Sequence, residues 1–291
     1  MANIIERLNL IALNIGCCVH DGDWNWKNVR SPFSRLYYVS EGHAQVELPS
    51  GIVDLKEGYL YYIPAYTRHS CICDSVFTHY YIHIFEDYLE GAAVLDEYDL
   101  PIEVNVGPEA LSIMQRLCEI NPTLKIPESN PESYDNHQML MVNFQKNLQR
   151  PFCDKVESRG LLYLLLAKFL ADAKLKNIAS DDRIRKVISY ISRNLDKTLD
   201  VNQLSDMACM SKVHFSRIFK EQTGETPNSY YIKKKMEKAE LLLVASDIPV
   251  KTIATRLGYD DYSYFIRLFR KYSGLTPQQY REQKFENKRN F

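Results

Sequence analysis

FSRIFKEQTGETPNSY, residues 215–230, returns fifty positions later as FIRLFRKYSGLTPQQY, residues 265–280. Phe215, Arg217, Phe219, Gly224, Thr226, Pro227 and Tyr230 reappear as Phe265, Arg267, Phe269, Gly274, Thr276, Pro277 and Tyr280. Coincidences of this kind at one offset, set in matching hydrophobic periodicity, mark a duplicated structural unit. In the first copy Asp200 precedes the apolar run Val201, Leu204, Met207 and Ala208 as an N-cap precedes a short helix. A turn over Cys209 to Ser211 follows. Ser211 then caps a second helix that carries Val213, Phe215, Ile218 and Phe219 as far as Gly224, which suits the left-handed residue after a helix end.

The second copy repeats this order. Val250, Ile253, Ala254 and Leu257 make a short helix ended by Gly258, and Asp260 or Asp261 caps the next, which runs through Lys271. Upstream of Gly258 the copies align best at forty-nine rather than fifty, so a one-residue difference lies in the turn, where length changes are tolerated. Thr226-Pro227 and Thr276-Pro277 each read as an N-cap followed by proline at the first helical position. The chain thus predicts two helix-turn-helix units, 201–222 and 250–272, joined by a helix over Asn228–Ala245 that is about 27 Å long. A helix-turn-helix places its second helix in the major groove, and two on one face of B-DNA sit about 34 Å apart. A connecting helix of this length can hold them so.

Charge divides the chain in the same place. Residues 180–291 hold 21 Lys+Arg against 14 Asp+Glu, whereas residues 1–179 hold 15 against 23, so a formal net charge of −1 conceals a basic C-terminal third. That balance suits a domain that meets phosphate.

On these residues, about Ile184 to Phe285 resembles the DNA-binding domain of the AraC/XylS family of bacterial transcription regulators. The resemblance is carried by Ser211…Arg217-x-Phe219-Lys220, by Ile253-Ala254…Leu257-Gly258-Tyr259, and by Phe265…Phe269-Arg270-Lys271…Gly274…Thr276-Pro277…Tyr280-Arg281. It implies that Val213, Ser216 and Arg217 in one recognition helix, and Tyr262, Ser263 and Arg267 in the other, read bases. A guanidinium bonds bidentately to guanine, whereas Val213 offers only an apolar contact. Lys212, Lys220, Lys251, Arg270, Lys271 and Arg281 are candidates for phosphate contacts, which position a protein without naming bases. Lys233-Lys234-Lys235 is a weaker candidate, since a charge cluster on a helix is commonly a solvated face.

Residues 1–103 read mostly as strand. Arg35–Val39, Ala44–Leu48, Tyr59–Ile63 and Val76–Ile84 alternate with turn signals at Glu41-Gly42, Pro49-Ser50-Gly51, Glu57-Gly58 and Pro64. The order Gly42…Gly58-x5-Pro64…His69 resembles the cupin-like β-barrel sensor that many members of the same family carry. Trp24, Trp26, Arg35, Tyr37, His69, Tyr81 and His83 supply the aromatic walls and few polar groups of a small-molecule pocket, for a sugar or related metabolite. Tyr66 stands where a cupin glycine is usual and no His-x-His precedes it, so neither a metal nor another cofactor is expected. His79 and His83 share one face of a strand.

Residues 104–176 turn helical: Glu109–Glu119, Glu132–Leu148 and Asp154–Lys174 show helical spacing between prolines. Leu161, Leu162, Leu165, Leu166 and Phe169 form a broad apolar face, assigned to homodimerisation by the resemblance. The polar stretch 177–183 is the candidate linker, leaving 184–291 as the DNA-binding domain.

The seven cysteines form no zinc pattern, and no run of about 20 apolar residues exists to span a membrane. Leu8–Val19 reads as a strand rather than a signal peptide. No glycine-rich phosphate loop, nucleophile elbow or His-Glu-x-x-His helix occurs. The expected fold is therefore α+β and multidomain: barrel, helical middle, and all-α domain with two helix-turn-helix motifs. The expected function is a cytoplasmic, effector-responsive regulator that binds promoter DNA and, by the resemblance, recruits RNA polymerase as an activator. A metal-dependent cupin enzyme fused to a DNA module, and an effector-independent architectural protein, are the alternatives.

Overall fold

A computed structural model describes residues 8–86, 94–175, 181–245 and 248–286. They form two compact units, 8–86 with 98–174, and 94–97 with 175 and 181–286. The expected linker lies outside the described residues as far as position 180. Beyond it, Asp181 caps a helix by accepting from the Arg183 amide.

In the first unit, β-branched and aromatic runs form strands, antiparallel throughout the main sheet: β1 (Leu10–Asp21), β2 (Trp26–Val29), β3 (Ser34–Leu48), β4 (Gly51–Lys56), β5 (Tyr59–Ile63), β6 (His69–Ile72), β7 (Val76–Glu86) and β9 (Glu103–Asn105), with β8 (Tyr98–Asp99) outside it. Pairing runs β1-β7-β3-β5-β9, with β2 on β6, and with β4 and β6 on the second half of β3. Strand β3 passes straight through Glu41-Gly42, where a turn is predicted. A register shift between Val39 and Glu41 bends the strand instead, so one strand serves two sheets.

Four helices follow: α1 (Pro108–Ile120), α2 (Pro131–Tyr134), α3 (His137–Gln149) and α4 (Phe152–Leu170). The predicted helix over 132–148 is broken after Tyr134. There the Asn136 side chain accepts from the Met139 amide at 3.0 Å and starts a new helix. Strand β1 is covered by α1, α3 and α4. Leu162, Leu165, Leu166 and Phe169 are buried within this single unit, and the Phe169 ring lies 5.8 Å from that of Tyr62. This corrects the predicted dimerisation face, because the broad apolar side of α4 is spent on the unit's own core and only Leu161 of that set is half-exposed. The large apolar side chains that α4 leaves exposed are Phe152, Val156 and Leu164.

After β10 (Lys174–Leu175), the second unit holds α5 (Asp182–Arg193), α6 (Val201–Met207), α7 (Lys212–Thr223), α8 (Pro227–Ala245), α9 (Val250–Arg256), α10 (Tyr262–Ser273) and α11 (Pro277–Glu286). The duplication reaches the level of atoms. The side chains of Ser211 and Asp261 cap α7 and α10, and Gly224 and Gly274 end them at φ 79° and 81°. Thr223 and Ser273 each donate to the carbonyl four residues back, on Phe219 and Phe269. Phe215 and Phe219 belong to one buried core with Ile184, Val187, Ile191, Leu204, Tyr230 and Tyr231. Phe265 and Phe269 belong to a second with Met236, Ala239, Leu243, Ile253 and Leu257. Helix α8, 19 residues and about 28 Å long, gives its first turns to one core and the rest to the other.

Candidate nucleic-acid interface and sensor interior

The second helix of each unit buries its phenylalanine face and leaves the opposite face to solvent. Val213 is 81% exposed, an arrangement that costs an apolar side chain free energy unless a partner covers it. Arg217 and Arg267 are exposed on α7 and α10, Ser263 is exposed and Ser216 half-buried. Tyr262 leans on the second core, so part of its ring serves packing.

Both arginines have a neighbour three residues earlier that the sequence reading missed. His214 Nδ1 lies 3.3 Å from Arg217 Nη2, while the Tyr264 ring centre lies 5.8 Å from the Arg267 guanidinium. The signal was available, since 214 and 264 are equivalent in the repeat and i, i+3 residues meet on a helix. Arg217 also pairs with Glu221 at 2.8 Å, an exposed contact worth little in water.

Lys212, Lys220, Lys251, Arg270 and Lys271 are exposed. Arg281 is not available in the same way. It donates from Nε to the Leu243 carbonyl at 3.3 Å and from Nη2 to the Ile248 carbonyl at 2.8 Å, tying the end of α8 to α11. Its reading as a phosphate contact is corrected to a structural one. The Lys233–Lys235 run is divided too. Lys233 pairs with Glu225 and Lys234 with Glu237, while Lys235 is buried.

In the first unit, alternation on β7 puts Phe77, His79, Tyr81 and His83 on one face. Register aligns His83 with Asn14 and Arg35, and Tyr81 with Gly16 and Tyr37. Any Cβ at Gly16 would lie 2.2 Å from the Tyr81 hydroxyl, so glycine lets that ring cross β1 and accept from the Ile126 amide at 3.0 Å. Trp24 packs against Tyr37, Phe77 and His79 with ring centres 5.2–5.7 Å apart. His83 stacks between Phe33 and Tyr134, each at 4.8 Å, and its Nδ1 lies 3.1 Å from the Asn14 side-chain oxygen. Trp26 is half-buried, so the two tryptophans differ in depth.

Arg35 is buried beside Asp135 at 3.8 Å and donates to Ser31 at 2.7 Å; Ser31 in turn donates to Asp135. Burial pulls the guanidinium pKa down, but Tyr134, Tyr37 and Asp135 outweigh it and hold the group above its ordinary value. Burial, then the Arg35 charge, lowers His69 to about 4; burial, then His20, lowers His79 to about 3; burial also takes His83 well below 6.5. These imidazoles are therefore neutral near pH 7. His20 Nε2, His69 Nε2 and His79 Nδ1 are buried without a hydrogen-bond partner among the described residues. Among those residues no three His, Cys, Asp or Glu side chains gather as a metal site. His20, Phe33, Tyr134 and Asp135 were missed from the sequence. Tyr134 and Asp135 come from a segment some hundred residues away in the chain, with no local signal.

Residues 204–283 match a family model described as a helix-turn-helix domain. The arabinose operon regulatory protein of Escherichia coli is 31% identical over 119 residues, 40% of this chain and 41% of that protein. The chain thus spans about two-fifths of the length of that relative. An uncharacterized HTH-type transcriptional regulator of Haemophilus influenzae is 23% identical over 91% of this chain and 92% of its own. Among solved structures, the C-terminal domain of the two-component response regulator YesN from Fusobacterium nucleatum is 33% identical and covers 34% of this chain and 96% of its own, with a TM-score of 0.33. The basic C-terminal unit is thus a double helix-turn-helix domain, similar to part of the arabinose operon regulatory protein.

Proposed function

We propose that this protein is a sequence-specific, DNA-binding transcription regulator that responds to a small molecule. The observation that carries this reading is the paired presentation of Val213, Ser216 and Arg217 on α7 and of Ser263 and Arg267 on α10, by helices whose other faces are locked into two matching cores. Arg217 and Arg267 read guanine edges, and Lys212, Lys220, Lys251, Arg270 and Lys271 hold phosphates. Arg217→Ala should relax preference at one base position and cost about 1–3 kcal/mol, whereas Lys220→Ala should weaken all sequences alike and lower the salt slope by about one. Equal losses on selected and random duplexes for Arg217→Ala would refute base reading.

In the same proposal the N-terminal unit is a cupin-like barrel whose interior takes a polar effector such as a sugar. The unpartnered nitrogens of His20, His69 and His79 support this, because a ligand hydroxyl would satisfy them. A second copy docks on the outer side of α4 through Phe152, Val156 and Leu164, replacing the buried leucines in that role. The protein works in the cytoplasm, carries no enzymatic activity and recruits RNA polymerase. No described helix is long and apolar enough to cross a membrane. Effector-independent binding is the second reading. It draws on Tyr134 and Asp135, which already occupy His83 and Arg35. Melting with a sugar panel separates the two, since only the first predicts a ligand-shifted Tm.

A further inference from the structure

Lys235 sits where α8 leaves one core and enters the other. Tyr230 and Tyr231 pack with the first core, Met236 and Ala239 with the second, and the lysine between them is 2% exposed. Its ammonium donates to the Lys197 carbonyl at 2.8 Å, in the loop that leads into α6. It also lies over two aromatic faces, 4.5 Å from the Tyr231 ring centre and 4.7 Å from that of Tyr259. Tyr231 donates to the same carbonyl. Tyr259 opens the turn before α10, and its ring contacts Tyr264 and Phe265 on that helix. The loop before the first helix-turn-helix also meets the second by backbone here, since Gly258 at φ 68° has room for no Cβ beside the Asp196 carbonyl. One cation therefore joins the loop ahead of the first helix-turn-helix, the shared helix and the turn that aims the second recognition helix.

We propose that Lys235 is a positioning residue that sets the spacing and phase between the two recognition helices, and so decides which half-site separation the protein accepts. A cation is drawn to both ring faces at once, because the ring quadrupoles attract positive charge. An apolar side chain of equal length would fill the space and leave the turn free to shift.

The ionisable groups facing the ammonium are Asp196 from the loop, Tyr231 from α8 and Tyr259 from the turn. Burial, against the raising effect of Asp196, brings the lysine down to about 8. The clamp is thus charged at neutral pH and loses its charge in mild alkali. The neutral amine keeps a bond to the carbonyl but loses the cation's attraction to both rings.

The inference rests on the proposed DNA binding, and its test begins with a duplex selected by the wild-type full chain from a random library. One base pair inserted or removed between half-sites turns the second by about 35° and moves it by about 3.4 Å. Wild type should bind both altered duplexes about ten-fold or more weakly, a ratio that shrinks as pH rises from about 7 to about 9.5. Lys235→Met should discriminate less than about three-fold at every pH, while binding a duplex with one scrambled half-site as wild type does. Lys235→Arg should restore the ratio and remove its pH dependence, because guanidinium stays charged. Should Lys235→Met fail to fold, the Arg variant decides: a spacing ratio that still falls in alkali overturns the proposal, as does a Met variant that keeps the wild-type ratio. No selectable duplex at all would instead overturn the DNA-binding reading beneath it.

Discussion

Replacing Gly258 by alanine should be far more damaging than the same change at the other left-handed glycines of the repeat. Gly258, Gly224 and Gly274 all have positive φ, at 68°, 79° and 81°. An alanine in that region costs about 1–2 kcal/mol. At Gly224 and Gly274 nothing lies within 4 Å of the added methyl, so this conformational cost is the whole effect. At Gly258 the methyl would lie 2.3 Å from the Asp196 carbonyl oxygen and 3.0 Å from its carbon, about 1 Å inside ordinary contact. Backbone on both sides must yield, and overpacking of this kind adds about 1–3 kcal/mol. The total is about 2–5 kcal/mol for Gly258→Ala against about 1–2 for either control. Urea unfolding of the full chain can measure it, because both tryptophans, Trp24 and Trp26, lie in the first unit. The helical transition that circular dichroism sees without a change in tryptophan fluorescence then belongs to the second. If Gly258→Ala and Gly274→Ala agree to within about 0.5 kcal/mol, the close approach of Gly258 to the Asp196 carbonyl is wrong. Cys209 offers the converse, since it holds φ 51° with a side chain in the turn of the first helix-turn-helix. Cys209→Gly should stabilise by about 0.5–1 kcal/mol.

The first unit should lose stability in acid. His69, His79 and His83 have pKa values lowered from 6.5 in the folded state, so the unfolded chain binds more protons below that value and stability falls as pH drops toward 4. A tryptophan-monitored Tm that stays flat from about pH 7 to pH 5 would contradict these burials. Asp135→Ala leaves the Arg35 guanidinium buried without its carboxylate and should cost about 3 kcal/mol in the same assay. A loss under about 1 kcal/mol would mean that Ser31 and Tyr134 suffice to hold the charge.

Much of the second unit was legible because its determinants are local. N-caps, left-handed glycines and Thr-Pro starts act within a few residues of where they are written, and a repeat writes them twice. The α7 and α10 boundaries and the exposure of Arg217 and Arg267 follow from that grammar. Alternation likewise located β7 and gave His79 and His83 a common face.

What local pattern could not reach was the partner of each side chain. Helical spacing made α4 apolar on a broad face, but whether that face met the same unit or another copy depended on β1 and β9 arriving from elsewhere in the chain. A basic motif made Arg281 a phosphate candidate until the end of α8 and the loop after it each presented a carbonyl to it, on Leu243 and Ile248. Three consecutive lysines looked alike, yet the helix turned two toward carboxylates and the third into the seam between two cores. Sequence by itself determined the repeat, its caps and the faces its helices would bury, because those depend on backbone conformation and periodicity. Tertiary structure alone decided which charges were left for DNA and which were spent inside, because a long side chain commits to whichever acceptor the fold brings within about 3 Å.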